Sequence, residues 1–509
     1  MSANQTPLLT THLFVSKNDT WDGFENMLAR LDESGITVKL YEPEDALLAI
    51  NPKSPRVYVS LGTGWEPFKT LNALPVQERK RWLHYKSPDE IQPSLLFYCW
   101  FKQTEPLPEN KTLSPTRFSS DHPLVSIFTA SYRSKDKIQR PYRSLLNQTY
   151  SNWEWVIVDD SGDEDETYNQ DLLSLDDPRV RRYRQDSRNG YIGAIKRYAA
   201  GLCTGDILVE VDHDDELTPD CLKKIVAAFQ QHPESGFAYG DCSEVFIGTH
   251  HAHWYGWDCG FGYSMYYRVW VHTMNRWQNV QKHSTINGNT IRHLVGLPNH
   301  PRAWTRDFYH QIGGHREELL VADDYDLLVR SFLSTRFVAI PDLLYIQYRN
   351  ENGDNSTFHR NGQIQILVNA LYSYYSQRIH TRVDELGLLD DIPYNRIWET
   401  AADHPARKSA HIIHEQESRV SILFPIPHSH STNEHPQLLK TLQKGMESGF
   451  TDIEVVVVGR VPAEVEIFAS IAPMGAIRWW PMEPDDTLET CIQYAKFCAS
   501  CKEKVIVQP

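Results

Sequence analysis

The sequence lacks three features that would place it in a specialised class of protein. It has no run of about 18 or more apolar residues, so we expect no membrane-spanning helix. It does not begin with the basic-then-apolar pattern of a signal peptide, and we therefore expect a cytoplasmic protein. Basic residues number 51 against 66 acidic ones, and the formal charge of -15 disfavours a general nucleic-acid binder.

Cysteine is also scarce, with 8 residues spread along the chain. Cys498 and Cys501 have the Cys-x-x-Cys spacing, but no second pair accompanies them. Structural zinc sites normally need two such pairs or added histidines. We therefore expect buried thiols here, and neither a zinc site nor a disulfide framework.

The remaining composition is that of a globular protein, and 509 residues suffice for three or four domains of about 150 residues each. Alternating strand and helix patterns predict α/β domains with mainly parallel sheets. A proline-rich stretch marks one boundary. The predicted divisions are a Rossmann-like domain at 1–105, a linker at 106–122, a catalytic domain at 123–360, a helical connector at 361–415 and a smaller α/β domain at 416–509.

The stretch 205–217 is the most informative in the chain. It reads as a buried strand that ends in a group of carboxylates, among them Asp212 and Asp214. Crowded carboxylates repel one another unless a cation lies among them, and hard divalent ions prefer oxygen ligands. A second acidic pair, Asp159 and Asp160, ends a neighbouring predicted strand, and parallel strands bind ligands beyond their carboxyl ends. The sequence thus predicts a site for Mn²⁺ or Mg²⁺ and a diphosphate.

Residues 416–509 repeat part of the catalytic pattern. The matching segments are Arg419–Phe424 with Leu124–Phe128, and Thr451–Val458 with Ser151–Val158. Gly459-Arg460 stands where the first block has its aspartate pair, and the given sequence stops at Pro509, where the metal carboxylates would follow. We interpret this block as a partial, degenerate repeat of the catalytic fold, with an unrelated α/β cap as the alternative.

Five short motifs follow one another along the catalytic block. They are Val125–Tyr132, Ser144–Tyr150, Trp155–Ser161, the Asp212-His-Asp-Asp215 form of a DxD motif, and Ala322–Arg330. In this order they resemble family 2 glycosyltransferases. The resemblance implies an α/β GT-A fold, Rossmann-like with a mostly parallel sheet, flanked here by two smaller α/β domains. It also implies metal-dependent, inverting transfer of a sugar from a nucleotide-diphosphate donor, a UDP-sugar, to an acceptor hydroxyl.

The resemblance further implies roles for individual residues. Asp214 and Asp212 would bind the metal, with Asp212 also near the ribose, and Asp324 would be the catalytic base. Four residues would contact the donor, namely Ala130, Tyr132, Asp160 and Lys196. Lys196 departs from the family, which often has arginine there. His359, in a polar segment after the catalytic core, is a further predicted metal ligand because that segment could fold over the donor.

The acceptor is the least determined partner. The aromatic segment 254–277 is the natural place for it, with Trp254 and Trp257 first, although a packed insertion explains many of these rings. A glycan, a lipid-linked intermediate or a protein side chain remain open, and modified nucleic-acid bases are not favoured despite the arginines of 179–188. A catalytically inactive glycan-binding scaffold is the other alternative. A nucleotidyltransferase is disfavoured because Thr129–Ser134 contains no glycine.

Overall fold

We describe the protein from a computed structural model of the chain. The residues described are 8–16, 19–45, 56–64, 68, 71, 74–103, 118–162, 167–254, 265–283, 285–349, 356–388, 409–427, 436–459, 463–483 and 485–507. None of the helices in these ranges is long and apolar enough to cross a membrane.

The N-terminal part is a small parallel sheet with helices. Its elements are β1 (Leu9–Phe14), α1 (Phe24–Glu33), β2 (Ile36–Tyr41), β3 (Arg56–Leu61), α2 (Val76–Arg79), β4 (Trp82–Tyr85) and α3 (Pro93–Gln103). The strand order is β2-β1-β3-β4, with every pair parallel. Strands β1 and β3 are buried along their whole length, as central strands of a parallel sheet should be.

The first half of the catalytic region repeats strand and helix in strict alternation. Its elements are β5 (Val125–Ser131), α4 (Gln139–Leu146), β6 (Trp153–Asp159), α5 (Thr167–Leu173), β7 (Val180–Arg184), α6 (Ile192–Leu202) and β8 (Ile207–Glu210). All neighbouring pairs are parallel, in the order β7-β6-β5-β8. Short apolar runs such as 207–209 form strands because both of their faces are covered.

The second half adds antiparallel and parallel strands beside β8. Its elements are β9 (Glu216–Leu217), α7 (Cys221–Gln231), β10 (Phe237–Phe246), β11 (Ala252–His253), β12 (Tyr266–Val271), β13 (Arg276–Gln281), α8 (Gly288–His293), β14 (Arg302–Thr305), α9 (Arg306–Gln311), α10 (Asp323–Ser334), β15 (Phe337–Arg349) and α11 (Ser356–Glu385). Strand β14 runs antiparallel between β8 and β10, which itself pairs with β15 in parallel. This order places β14 and the N-terminus of α10 next to the end of β8.

The C-terminal part continues the same sheet. Its elements are β16 (Ile412–Ile413), β17 (Gln416–Ile426), α12 (Pro436–Glu447), β18 (Ile453–Gly459), α13 (Ala463–Ile471), β19 (Ile477–Trp480), α14 (Leu488–Cys498) and β20 (Cys501–Ile506). Its order is β20-β17-β18-β19, all parallel, and β19 pairs antiparallel with β12. The block predicted as a separate small domain is therefore hydrogen-bonded into the catalytic sheet.

Helix α11 joins the N-terminal part to the catalytic part. It packs against α3 and α10, and residues of all three helices belong to one buried apolar cluster. Arg316 adds polar contacts, with its guanidinium 3.2 Å from the carboxylate of Asp326 and 3.4 Å from the hydroxyl of Tyr375. The N-terminal sheet is thus fixed to the helix layer that also carries Asp324.

Candidate active site

The acidic motif lies where β8 ends, and its three aspartates have different surroundings. Asp215 is buried and accepts hydrogen bonds from the Tyr345 hydroxyl (2.9 Å) and the Tyr348 backbone N–H (2.7 Å). Burial raises the pKa of Asp215, and the nearby Asp214 and Asp212 charges raise it further. Asp212 and Asp214 are half-buried, and no ion pair to either carboxylate occurs among the described residues. Asp215 therefore anchors the motif, while the other two carboxylates remain available to a cation.

Three acids open helix α10, and only one of them is accessible. The Asp324 side chain is 28% exposed, whereas those of Asp323 and Asp326 are at most 5% exposed. Asp326 binds the Arg330 guanidinium (2.9 Å from Nε) and the Tyr375 hydroxyl (2.7 Å), so its role is structural. Asp324 is thus the acid of this helix that a substrate can reach.

The Asp324 carboxylate is held by two donors. Its Oδ1 accepts the Tyr325 backbone N–H at 2.7 Å, and its Oδ2 lies 3.2 Å from Nη1 of Arg302. Burial by itself would raise the pKa of Asp324, but the charges of Arg302 and then Lys196 outweigh it and lower that pKa. Asp324 is therefore ionised at neutral pH, the form that can accept a proton.

Lys196, on α6, lies between the end of β8 and the start of this helix. Its ammonium lies 2.6 Å from Glu210 at the end of β8 and 3.6 Å from Asp323. Burial would lower the pKa of Lys196, but Asp323 and Glu210 raise it well above its ordinary value. The side chain is 8% exposed, so its charge is committed to these carboxylates. Its predicted contact with donor phosphates stays a prediction.

The predicted donor residues end β5 and β6, at the same sheet edge. Ala130 is the penultimate residue of β5, and Tyr132 follows that strand with its ring centroid 4.4 Å from the Arg188 guanidinium carbon. Asp160 follows β6 and accepts the backbone N–H groups of Asn189 (2.6 Å) and Gly190 (2.9 Å). Asp160 therefore shapes the loop beside Tyr132, and its predicted contact with a base stays a prediction.

A further group of possible metal ligands includes a residue that the sequence did not indicate. One ligand atom each of Glu210, Asp212 and His300 lie within 4.8 Å of one another. Glu210 is already neutralised by Lys196, so Asp212 and His300 are the members still available. His359 lies in α11, but its side chain is outside the described residues. The half-buried carboxylates without a cation fit a hard divalent metal.

The aromatic segment divides into packed and exposed rings. Trp270 and Trp277 meet edge to face with centroids 5.8 Å apart and belong to an apolar cluster. Trp254 is 66% exposed. Trp257 lies outside the described residues. Packing therefore accounts for part of this segment, and Trp254 is the described ring that a ligand can reach.

Residues that sequence reasoning missed are Glu210, His300 and Arg302. Glu210 left one signal, since an acid between Val209 and Val211 in an apolar strand must find a buried partner. Arg302 left none, because its proximity to Asp324 depends on how β14 pairs with β8.

Comparison with known proteins decides the family. Residues 126–294 match the sequence model described as Glycosyl transferase family 2. The chain contains a family 2 glycosyltransferase domain. This confirms the predicted family and, with the strand order β7-β6-β5-β8-β14-β10, the predicted GT-A fold of the domain.

Two curated relatives illustrate the reach of this similarity. WcaA of Escherichia coli strain K12 is 34% identical over 121 residues, which are 24% of this chain and 43% of WcaA. The UDP-Glc:alpha-D-GlcNAc-diphosphoundecaprenol beta-1,3-glucosyltransferase WfgD of Escherichia coli is 28% identical over 121 residues, 24% of this chain and 46% of WfgD. The matched family 2 segments thus span less than half the length of these relatives.

Solved structures give more distant similarities. S. aureus TarS 1-349 in complex with UDP has 15% identity and a TM-score of 0.36, covering 53% of this chain and 76% of that one. Mannosyltransferase PcManGT from Pyrobaculum calidifontis, in complex with GDP-Man and Mn²⁺, has 14% identity and a TM-score of 0.32, covering 58% and 82%. The fold assignment of the family 2 domain rests on the family match and the strand order.

Proposed function

We propose that the protein is a metal-dependent, inverting glycosyltransferase that moves a sugar from a UDP-sugar to an acceptor hydroxyl. The observation that carries this proposal is that two kinds of carboxylate lie near the end of β8, one kind without an ion pair and the other held by an arginine. No ion pair to the carboxylate of Asp212 or Asp214 occurs among the described residues, and Arg140 reaches only the backbone carbonyl of Asp214, whereas the Asp324 carboxylate has Arg302 and is partly exposed. One set suits a metal and the other suits a proton acceptor.

Asp214 and Asp212 are the residues that would hold Mn²⁺ or Mg²⁺, with His300 and His359 as further ligands to test. A divalent ion bound there would offset the negative charge that collects on the departing nucleoside diphosphate. The Asp215 side chain, buried against Tyr345, keeps the motif in place for this role. Tyr132 and Asp160 would line the base side of the donor, and UDP is the preferred nucleotide because WfgD is named for a UDP-sugar.

Asp324 would act as the base. The acceptor hydroxyl transfers its proton to the Asp324 carboxylate as its oxygen bonds to the anomeric carbon. The bond from that carbon to the diphosphate oxygen breaks in the same displacement, so the configuration inverts. An ionised carboxylate at the start of a helix suits this step, because the positive end of the helix dipole stabilises it before the proton arrives.

The acceptor would be a glycan or a lipid-linked sugar. The exposed ring of Trp254 offers a flat apolar surface of the kind that the C–H face of a sugar packs against. The relative WfgD is named for a lipid-diphosphate-linked acceptor, which supports this chemical class.

The test is a panel of nucleotide sugars with Mn²⁺ or Mg²⁺ and a set of glycan acceptors. Wild type should transfer from at least one UDP-sugar, and Asp324→Asn should lower kcat by about 10²- to 10⁴-fold. Titration calorimetry should show that Asp324→Asn still binds UDP and Mn²⁺. A wild-type protein that neither binds nor consumes any donor in the panel would overturn the proposal.

A further inference from the structure

Arg302 has its guanidinium fixed in three directions. Its Nε donates to the carbonyl of Pro298 (3.0 Å), its Nη2 donates to the carbonyl of Gly296 (3.0 Å), and its Nη1 donates to Oδ2 of Asp324 (3.2 Å). The side chain is only 4% exposed. Since the guanidinium is planar and rigid, two fixed N–H directions determine the third. The backbone of the 296–298 segment thus sets the direction in which Arg302 meets Asp324.

The same arginine is tied to the strand that leads to the metal-binding motif. Strand β14 pairs antiparallel with β8, and in that register Arg302 lies directly opposite Glu210. Two residues beyond Glu210 the chain reaches Asp212. Arg302 therefore fixes the position of Asp324 relative to β8, the strand that leads to the proposed metal-binding carboxylates.

We propose that Arg302 is a positioning residue for the catalytic base, a role that rests on the proposed function of Asp324. Arg302 makes no contact with a reacting atom in this scheme. It fixes one oxygen of Asp324 while the Tyr325 N–H fixes the other, so the side chain is held in one orientation yet stays 28% exposed. Misplacing a catalytic group by about 1 Å costs roughly 10²-fold in rate, which is the effect expected when this hold is lost.

The neighbouring acid shows what a purely structural pair looks like. Asp326, on the same helix, binds Arg330 and Arg316, but its side chain is fully buried. No substrate can reach it, so its arginines serve the fold alone. Asp324 differs because its arginine partner is buried while the carboxylate itself is accessible.

The charges that face Asp324 come from β14, α6 and β8, and from the adjacent Asp323 on its own helix, whose pKa the Asp324 charge raises. Arg302 on β14 and Lys196 on α6 lower its pKa, and Glu210 on β8 raises it. Removing the Arg302 charge should therefore raise the pKa of Asp324, and the acid limb of the kcat/KM profile should move to higher pH.

The test uses the full chain with the donor and acceptor found in the panel. Arg302→Met should lower kcat by about 10²-fold and leave Mn²⁺ and UDP binding unchanged in calorimetry. Arg302→Lys keeps the charge but loses the planar set of N–H donors that contacts Asp324 and the backbone together, and we expect kcat to fall about tenfold. In the Asp324→Asn background, Arg302→Met should change kcat by less than about twofold, because an effect transmitted through Asp324 vanishes with it.

Arg56→Met is the matched control, since Arg56 is 6% exposed and paired with Glu78 in the N-terminal sheet. It should lower the unfolding midpoint and leave kcat per folded molecule unchanged. Two results would overturn the positioning role. One is a fall in kcat for Arg302→Met that is just as large in the Asp324→Asn background. The other is a fall in kcat that is explained by the fraction of unfolded protein. If Arg302→Met does not fold, Arg302→Lys with wild-type kcat would overturn it instead. An inactive wild type would contradict the proposed function itself. That result differs from the outcomes above, which contradict only the role of Arg302.

Discussion

The catalytic half-sheet, β7-β6-β5-β8, and the C-terminal half-sheet, β19-β18-β17-β20, have the same strand order and register. They differ in the side chains at the ends of their strands. Their parallel pairs have equivalent registers, as with Ser126 beside Glu154 and Ser421 beside Glu454. Helices α6 and α14 both have 11 residues, and they begin at the same distance along the chain before Leu208 and Lys504, the residues that pair with Ser126 and Ser421. We infer that the second half-sheet is a copy of the first.

A buried glutamate network supports the frame in the catalytic half. Glu154 accepts hydrogen bonds from the Ser126 hydroxyl (2.6 Å) and from the Thr204 backbone N–H (2.6 Å). Arg181 lies 2.9 Å from the other oxygen of Glu154 and also donates to the Leu202 carbonyl. The network thus joins β5, β6, β7 and the end of α6.

The C-terminal half has a similar network at equivalent positions, with Ser500 in place of Thr204 and with Asp342 as a further partner of Arg478. Glu454 accepts from the Ser421 hydroxyl (2.7 Å) and from the Ser500 N–H (2.6 Å). Nε of Arg478 lies 3.2 Å from Glu454, and its Nη1 donates to the Cys498 carbonyl. Because these polar residues recur where no catalysis is expected, their role is to hold strands together.

The charged groups beside the proposed metal site have no counterparts in the C-terminal half-sheet. By strand register, Ile506 occupies the place of Glu210, and by helix position Ile492 occupies the place of Lys196. Replacing a buried ion pair by apolar residues is often neutral or stabilising. The fold therefore does not require the Lys196–Glu210 pair, and its retention in one half points to function.

The position equivalent to Asp159 in the C-terminal half-sheet is Gly459, where an acidic side chain does not fit. Gly459 has φ +128°, and a Cβ there would lie 2.1 Å from the carbonyl oxygen of Ile426. Any side chain at this position would force the strand ends apart. The C-terminal half-sheet thus has no acid at this strand end, and its backbone there excludes one.

The largest predicted effect, on both stability and transfer, comes from giving the catalytic half-sheet the isoleucines that the C-terminal half-sheet has in place of Lys196 and Glu210. Lys196→Ile or Glu210→Ile alone should lower the free energy of unfolding by about 3–5 kcal/mol, because each leaves a buried charge without its nearest counter-charge. The double variant should be more stable than the single variants in urea unfolding, but it should stay below wild type because the buried Asp323 also loses Lys196. It should still lose transfer by about 10²-fold or more, since Asp323 and Asp324 lose a nearby cation. A double variant no more stable than the single ones would contradict the comparison.

A smaller difference should separate the two equivalent arginines. The Arg478 and Glu454 side chains are fully buried, whereas Arg181 is 34% exposed and Glu154 is 10% exposed. We expect Arg478→Met to cost about 3–5 kcal/mol in urea unfolding and Arg181→Met about 1 kcal/mol. Each variant serves as the control for the other. Equal costs would mean that burial does not distinguish the two networks.

Much of the frame could be predicted from the sequence. Strands Ile36–Tyr41 and Arg56–Leu61 lie where their alternating or continuous apolar residues place them. The first strand, Leu9–Phe14, is buried along its whole length. Local apolar patterns are strong signals when a strand is covered on both faces.

The site could be predicted only as far as it is local. Asp212, Asp214 and Asp324 follow from short motifs at element ends. Arg302 and His300 do not, because their proximity to these acids arises from the antiparallel pairing of β14 with β8. Nothing within either segment encodes that register, so the contacts of Asp324 needed the fold.

The smallest effect concerns Asp159, the acid that Gly459 replaces in the copy. Burial raises the pKa of Asp159 above its unfolded value, although its hydrogen bond from Ser161 opposes this. A raised folded pKa means stability that is complete below the unfolded pKa and lost as pH rises through the folded pKa. Ionised Asp159 therefore costs stability at neutral pH, and Asp159→Asn should stabilise the fold there by up to about 1 kcal/mol.

That gain should shrink as the pH falls toward 4, because protonated Asp159 and asparagine are then both neutral. Thermal unfolding of both proteins across this range measures it. Asp452→Asn, at an exposed position of the copy, is the control and should change stability by less than about 0.5 kcal/mol at every pH. A gain for Asp159→Asn that is constant with pH would mean that packing, not charge, distinguishes this position from Gly459.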